Sequence, residues 1–271
     1  MSKLPFPLRL LRLSPSEQAC SQKILGSTDA WIARNINKRI SLPISILLAR
    51  TGITPNQITF ANLLLGLFSG LMASWGGYGN LVLAGILFQL VSIFDGCDGE
   101  VAKLNHKATK FGAWFDTVGD NLSFVVFITG VTFGLYRETH AVWILHLAKL
   151  ALLSFAVLLS IMISYLIQQK NSSASLVTYE KEVVSARAKR QNPLVAKAVH
   201  YGKFLVKKDF FAFLFFSLAL LGWPEAIVFF AALGTTAVAI VLSVIAFKGR
   251  RARKALAAQA VVNEEATGVS S

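Results

Sequence analysis

Apolar residues in this chain run together in long blocks, with little of the alternation that marks a half-buried strand or a water-facing helix. Six blocks stand out, at 57–74, 81–94, 112–135, 142–167, 210–221 with its flanks, and 225–247. A helix crossing a hydrocarbon core of roughly 30 Å needs about 20 mainly apolar residues. The blocks therefore predict six membrane-spanning helices. The second and fifth are short, and need polar flanking residues, tilt or protein contacts to complete a crossing.

The polar positions between the blocks set the expected orientation. Basic residues precede the first block (Lys23, Arg34, Lys38, Arg39 and Arg50 among them). Lys103, Lys107 and Lys110 lie between the second and third blocks, and nine Lys or Arg occupy 168–208. More follow the last block, whereas the alternate connections contribute only Arg137. Positive charge on every second connection predicts cytoplasmic termini, since such loops are retained on that side. No cleaved signal peptide is expected, because Pro5, Pro7, Arg9 and Arg12 interrupt any apolar start.

The segment 28–50 has another pattern. Trp31, Ile32, Ile36, Ile40, Ile44 and Leu47 recur at near-helical spacing, with Arg34, Lys38 and Arg39 among them. This predicts an amphipathic helix, either on the anionic inner leaflet or packed on the protein's own cytoplasmic loops; the two are compatible. The expected fold is all-α and polytopic: a cytoplasmic segment 1–27, the amphipathic helix 28–50, a six-span domain 51–250 and a flexible tail 251–271.

Composition narrows the function classes. The chain is 54% hydrophobic and 15% charged, yet carries a net charge of +13. Such hydrophobicity excludes a disordered chain, and Cys20 and Cys97 alone exclude a disulfide scaffold. Nucleic-acid binding would explain the charge but not the 20 Phe and the apolar blocks. A membrane protein with basic cytoplasmic segments explains both.

Candidate chemistry lies in the acids. Of six Asp, four are Asp95, Asp98, Asp116 and Asp120, at the end of the second block and the start of the third. Asp95 and Asp98 are i,i+3 neighbours and Asp116 and Asp120 i,i+4 neighbours, so each pair shares one helix face. Four carboxylates at a membrane boundary repel one another unless a cation holds them. An all-oxygen set suits Mg²⁺ or Mn²⁺, and a pair of such ions can clamp a diphosphate. The plainer alternative is charge pairing with Lys103, Lys107 and Lys110, which leaves the regular spacing and the glycines unexplained. His106, His140, His146 and His200 show no ligand spacing, and Cys97 reads as small-residue packing.

The run Asp95-x2-Asp98-Gly99-x2-Ala102-Lys103-x8-Gly112-x3-Asp116-x3-Asp120 resembles the signature of the CDP-alcohol phosphotransferases. That pattern has Arg where this chain has Lys103, and the other seven specified positions agree. Pro55-Asn56-Gln57-Ile58-Thr59 is similar to the family's entry into its first span. The resemblance implies transfer of a substituted phosphate from a CDP-alcohol to a hydroxyl acceptor with release of CMP. It implies ligation of two metal ions by Asp95, Asp98 and Asp116 with Asp120 beside them. Asp120 would also be the base toward the acceptor. Asn56, Thr59, Gly99, Ala102, Lys103 and Gly112 would line the CDP site, although Asn56 and Thr59 also suit capping and packing. A homodimer in the cytoplasmic membrane, with the site on the cytoplasmic side, is implied too.

The acceptor is read only from charge: Lys170, Arg187 and Arg190 in the basic connection are candidates for an anionic one, against an ordinary positive-inside loop. The donor is CDP-diacylglycerol or a CDP-polyol. Residues Asp95 to Glu100, with Thr28-Asp29 and 35–41 upstream, are similar to the di-myo-inositol-phosphate-phosphate synthase branch, whose members join CDP-inositol to inositol phosphate. Those relatives often carry a cytidylyltransferase domain; none is visible here, so a separate partner is expected to supply the donor. Outside this family, a transporter would place its carboxylates near the bilayer midplane, and a non-catalytic member would be expected to have lost some of the four Asp.

Overall fold

The computed structural model describes residue 8, residues 11–28, 31–168 and 208–244, and residue 247. Its described elements are helical, and three of them begin at a side-chain cap written in the sequence. In α1 (Pro15–Ser27) Ser14 Oγ accepts from Glu17 N at 3.2 Å while Glu17 Oε2 accepts from Ser14 N at 2.7 Å. The same reciprocal box opens α3 (Pro55–Ser74), between Thr54 and Gln57, with proline at the first helical position. A proline there loses nothing, because its missing N–H would have had no helical partner.

The 28–50 segment is helical from Trp31. A π turn at Ala33–Asn37 leads into α2 (Lys38–Arg50). One face of α2 buries Leu42 and Ile46 against Leu8 and Ile24, while Trp31, Ile40 and Leu47 stay exposed. Packing on the protein is thus visible, and an apolar outer face remains. Helix α1 was not expected from the sequence; Arg50 grips it through Glu17, at 2.9 and 2.8 Å.

Four long helices follow: α3, α4 (Tyr78–Leu104), α5 (Lys110–Thr139) and α6 (Val142–Gln168). Then come α7 (Lys208–Leu220) and α8 (Pro224–Val244). Five of these, α3 to α6 and α8, are long and apolar enough to cross a membrane. The predicted fifth span corresponds to α7, whose 13 described residues fall short of that length; 169–207 lie outside the described residues. The second span is longer than its apolar block predicted, because α4 runs through the acidic motif to Leu104 instead of ending at Phe94. Its end is an αL cap at His106 (φ 53°), with Lys107 N bonded to Ala102 O at 2.9 Å.

Small residues set how closely the helices approach. A Cβ on Gly130 of α5 would strike the Gly70 carbonyl of α3, and one on Gly134 would strike the Ala73 carbonyl. Without a hydrophobic drive between helices in lipid, such backbone contact is a main source of packing energy. Helix α7 lies against α4, where Gly85 makes room for Ala219. Phe88, Phe127 and Phe215 stack at the centre, the first two with ring centroids 4.1 Å apart. The seam between α3 and α5 holds the N-terminal halves of both beside the C-terminal part of α4.

Candidate metal and phosphate site

Asp95 stands 17 residues into α4, about 26 Å along the helix at 1.5 Å per residue. Asp116 and Asp120 stand in the N-terminal half of α5. Carboxylate oxygens of Asp95, Asp116 and Asp120 lie within 4.8 Å of one another. The spacing of each pair and the packing of the two helices thus bring together three of the four predicted acids. The fourth, Asp98, is buried beside them: it accepts a hydrogen bond from Thr59 of α3 and one from Gly99 N at 2.5 Å, and it interacts with Asp116.

The counter-charge is not the one the sequence suggested. Among the described residues, the ion pairs of this cluster run to Lys208, at the start of α7, and not to Lys103, Lys107 or Lys110. Lys208 pairs with Asp120, and its Nζ is 3.1 Å from Asp95 Oδ1. That oxygen is buried and, despite the ion-pair distance, has no partner of hydrogen-bond geometry among the described residues. A carboxylate oxygen so placed within an all-oxygen set fits a hard divalent cation such as Mg²⁺ or Mn²⁺.

Of the predicted CDP-site residues, Thr59 and Gly99 touch the cluster through Asp98. Thr59 Oγ1 lies within bonding distance of both Asp98 and Pro55 O, so its capping-type and site contacts coexist. Asn56 faces Gly112, where a Cβ would come within 2.9 Å of Asn56 Oδ1. A Cβ on Gly99 would meet open space. Ala102 is half-buried and Lys103 exposed beyond them on α4. Lys170, Arg187 and Arg190 lie outside the described residues. His106 and His140 serve as left-handed helix ends (both φ 53°), which accounts for them without a metal.

Two further carboxylates flank the site, and the sequence reading missed both. Glu100 is buried, with Oε1 accepting from Lys38 at 2.5 Å and from Ser41 at 2.9 Å, and Oε2 from Ser45 at 2.7 Å. Burial opposes the charge on Lys38, but the Glu100 carboxylate beside it outweighs that cost and holds the ammonium pKa above its usual value. Asp209, next to Lys208, accepts from Asn37 Nδ2 at 2.6 Å and from Ser92 Oγ at 3.1 Å. The one available signal was local: Lys208-Asp209 is a charged pair directly before an apolar run.

Residues 52–245 match the model of a family described as CDP-alcohol phosphatidyltransferase. The chain is 44% identical over 108 residues to the bifunctional IPC transferase and DIPP synthase of Aquifex aeolicus, covering 40% of this chain and 24% of that protein. Against the protein of the same description from Archaeoglobus fulgidus, identity is 36% over 145 residues, covering 54% and 26%. The archaetidylinositol phosphate synthase of Pyrococcus horikoshii is 38% identical over 88 residues, covering 32% and 45%. The chain therefore spans about a quarter of the length of the first two relatives and under half of the third.

Proposed function

The chain belongs to the CDP-alcohol phosphatidyltransferase family, and from that premise we propose that it is a multi-pass membrane transferase. It moves a substituted phosphate from a CDP-alcohol to a hydroxyl acceptor and releases CMP. The observation that carries this reading is the convergence of Asp95, Asp116 and Asp120 from two helices, with Asp98 fixed beside them. Relatives described as DIPP and archaetidylinositol phosphate synthases favour an inositol-containing substrate. CDP-inositol and CDP-diacylglycerol are the two donors in question.

In this reading Asp95, Asp98 and Asp116, with Asp120, hold Mg²⁺ or Mn²⁺, two ions being expected for a pyrophosphate. A bound divalent cation supplies neutralisation of the pyrophosphate and of the departing CMP. Thr59 fixes the Asp98 carboxylate through its hydroxyl. Asn56 and Gly112 form one wall of the CDP site, and the open space over Gly99 admits the nucleotide. Lys103, beyond Ala102, offers a single mobile charge to phosphate where arginine would offer a planar fork. As the acceptor oxygen bonds to phosphorus and the bond to CMP breaks, Asp120 takes the hydroxyl proton. Lys170, Arg187 and Arg190 are assigned to the acceptor's negative charge, and homodimerisation belongs to the same reading.

The basic connections favour a site on the cytoplasmic side. The exposed apolar residues of the helical segment 31–50 (Trp31, Ile40, Leu47) then rest on the inner leaflet. A transporter is disfavoured because Asp95 lies far along its helix from Tyr78, toward one membrane boundary. Purified protein with Mg²⁺ and a panel of CDP-alcohols and acceptors tests the proposal. One pair should yield CMP and the corresponding phosphodiester, and Asp120→Asn should abolish both. If no pair yields CMP while proteoliposomes move a solute, the reading is wrong.

A further inference from the structure

Asn37 and Lys38 are consecutive residues at the end of the π turn, and each holds a different carboxylate, one buried and one half-buried. Lys38 reaches Glu100 on α4, and Asn37 reaches Asp209 on α7. Asn37 is itself held by Gln89 Nε2 at 3.1 Å and donates to Ser92 Oγ at 3.2 Å, both on α4. π turns alter the register of a helix and are frequent at functional sites; here the turn ends on the two residues that meet two different partners. Cys97 Sγ on Ser41 O and Asn105 Nδ2 on Ala49 O extend the same α2–α4 seam.

The helix being held is weak where it matters. Gly96 and Gly99 lie between Asp95 and Glu100, and glycine weakens a helix interior relative to alanine. A Cβ on Gly96 would meet Lys38 Nζ at 2.6 Å, so that glycine is also what admits the lysine head. Glu100, five residues beyond Asp95 and two beyond Asp98, has both oxygens occupied by α2. Asp209 adjoins Lys208, which bridges Asp95 on α4 and Asp120 on α5. The segment 37–45 thus grips α4 and α7 on either side of the carboxylate cluster.

We infer that Glu100 and Asp209 are positioning residues, through which Asn37, Lys38, Ser41 and Ser45 of the juxtamembrane segment set the geometry of the Asp95–Asp98–Asp116–Asp120 site. The inference rests on the reading of that site as a divalent-cation site. It makes the juxtamembrane segment part of the catalytic architecture as well as a contact with the bilayer.

The test is Mn²⁺ binding to the purified full-length protein in lipid nanodiscs, followed by electron paramagnetic resonance, with melting temperature measured in parallel. Glu100→Gln and Lys38→Met should each weaken Mn²⁺ binding about tenfold, as outer-shell substitutions commonly do, and by more than the melting temperature lost with the broken buried pair accounts for. The double variant should be no weaker than the worse single, because both remove one shared interaction. Asn37→Ala should weaken binding in the same direction, and Glu17→Gln, remote from the cluster, should bind as the unsubstituted protein does. If Glu100→Gln does not fold, Ser45→Ala removes one bond to Glu100 and should show a smaller weakening of the same sign. Unchanged affinity in Glu100→Gln, or weakening only in step with lost thermal stability, overturns the inference. Unchanged affinity in Asp95→Asn is a different failure: it overturns the cation site and the inference with it.

Discussion

Lys208 Nζ lies 3.1 Å from Asp95 Oδ1, joining the start of α7 to the acidic end of α4 across 113 positions of sequence (208 − 95). The same ammonium pairs with Asp120 of α5, so one cation ties three helices at the cluster. Taking the lysine away leaves those carboxylates without their counter-charge. Removing one partner of a buried pair costs about 3–5 kcal/mol, and less here because the Lys208 side chain keeps 32% exposure. Lys208→Met should therefore melt lower than the unsubstituted protein in EDTA. Mn²⁺ should raise its melting temperature by more, since the divalent ion supplies the missing charge. Equal Mn²⁺ responses in the two proteins would show that Lys208 does not compensate the cluster.

Thr59 carries a separate prediction. Its hydroxyl is one of two donors to Asp98, the other being Gly99 N. Thr59→Val keeps the shape, but removes the hydroxyl and leaves a buried carboxylate one hydrogen bond short. The protein should fold, while the metal concentration for half-maximal CMP release should rise about tenfold. A KM change for the CDP-alcohol alone, with metal dependence intact, would instead assign Thr59 to the nucleotide.

The acids were legible in the sequence because their spacing is local: i,i+3 and i,i+4 pairs declare a shared helix face before any fold is known. The long helices were legible from their apolar blocks. The true length of α4 was not, since the acids and glycines between Phe94 and Leu104 break the apolar pattern without breaking the helix. Lys208, Glu100 and Asp209 escaped for another reason. Their partners lie 88, 62 and 172 positions away, and no periodicity reports contacts between helices. Lys208 read as one more positive-inside residue, and Glu100 as a spacer in the motif.

Two glycines separate packing from chemistry. Gly130 sits against the Gly70 carbonyl, so Gly130→Ala must part α3 and α5, at a cost of about 1–3 kcal/mol. Gly99 faces open space inside a helix, so Gly99→Ala should keep or slightly raise the melting temperature. If that space receives the nucleotide, the same methyl should raise KM for the donor several-fold. Thermal unfolding alongside donor titration distinguishes the two, and a Gly99→Ala protein with unaltered kinetics would remove Gly99 from the CDP site.

Away from the site, Glu17 makes a pH prediction of definite sign. Hydrogen bonds from Arg50, helped by those from Ser14, lower its pKa from an ordinary 4.5 to about 2. A carboxylate whose pKa is depressed by folding stabilises the fold above its unfolded pKa, and that contribution fades as pH falls toward the folded value. The advantage of the unsubstituted protein over Glu17→Gln should be full at pH 6, shrink below about pH 4.5 and be nearly gone by pH 2. The effect should be small and should weaken with salt, because the Arg50 side chain is 43% exposed and the pair is screened. Comparing the two proteins at each pH cancels the titration of the Asp cluster, which both share. Melting curves of both proteins from pH 6 to pH 2 make the measurement. A difference that stays constant across that range would mean that Glu17 contributes through the α1 cap alone and not through its charge.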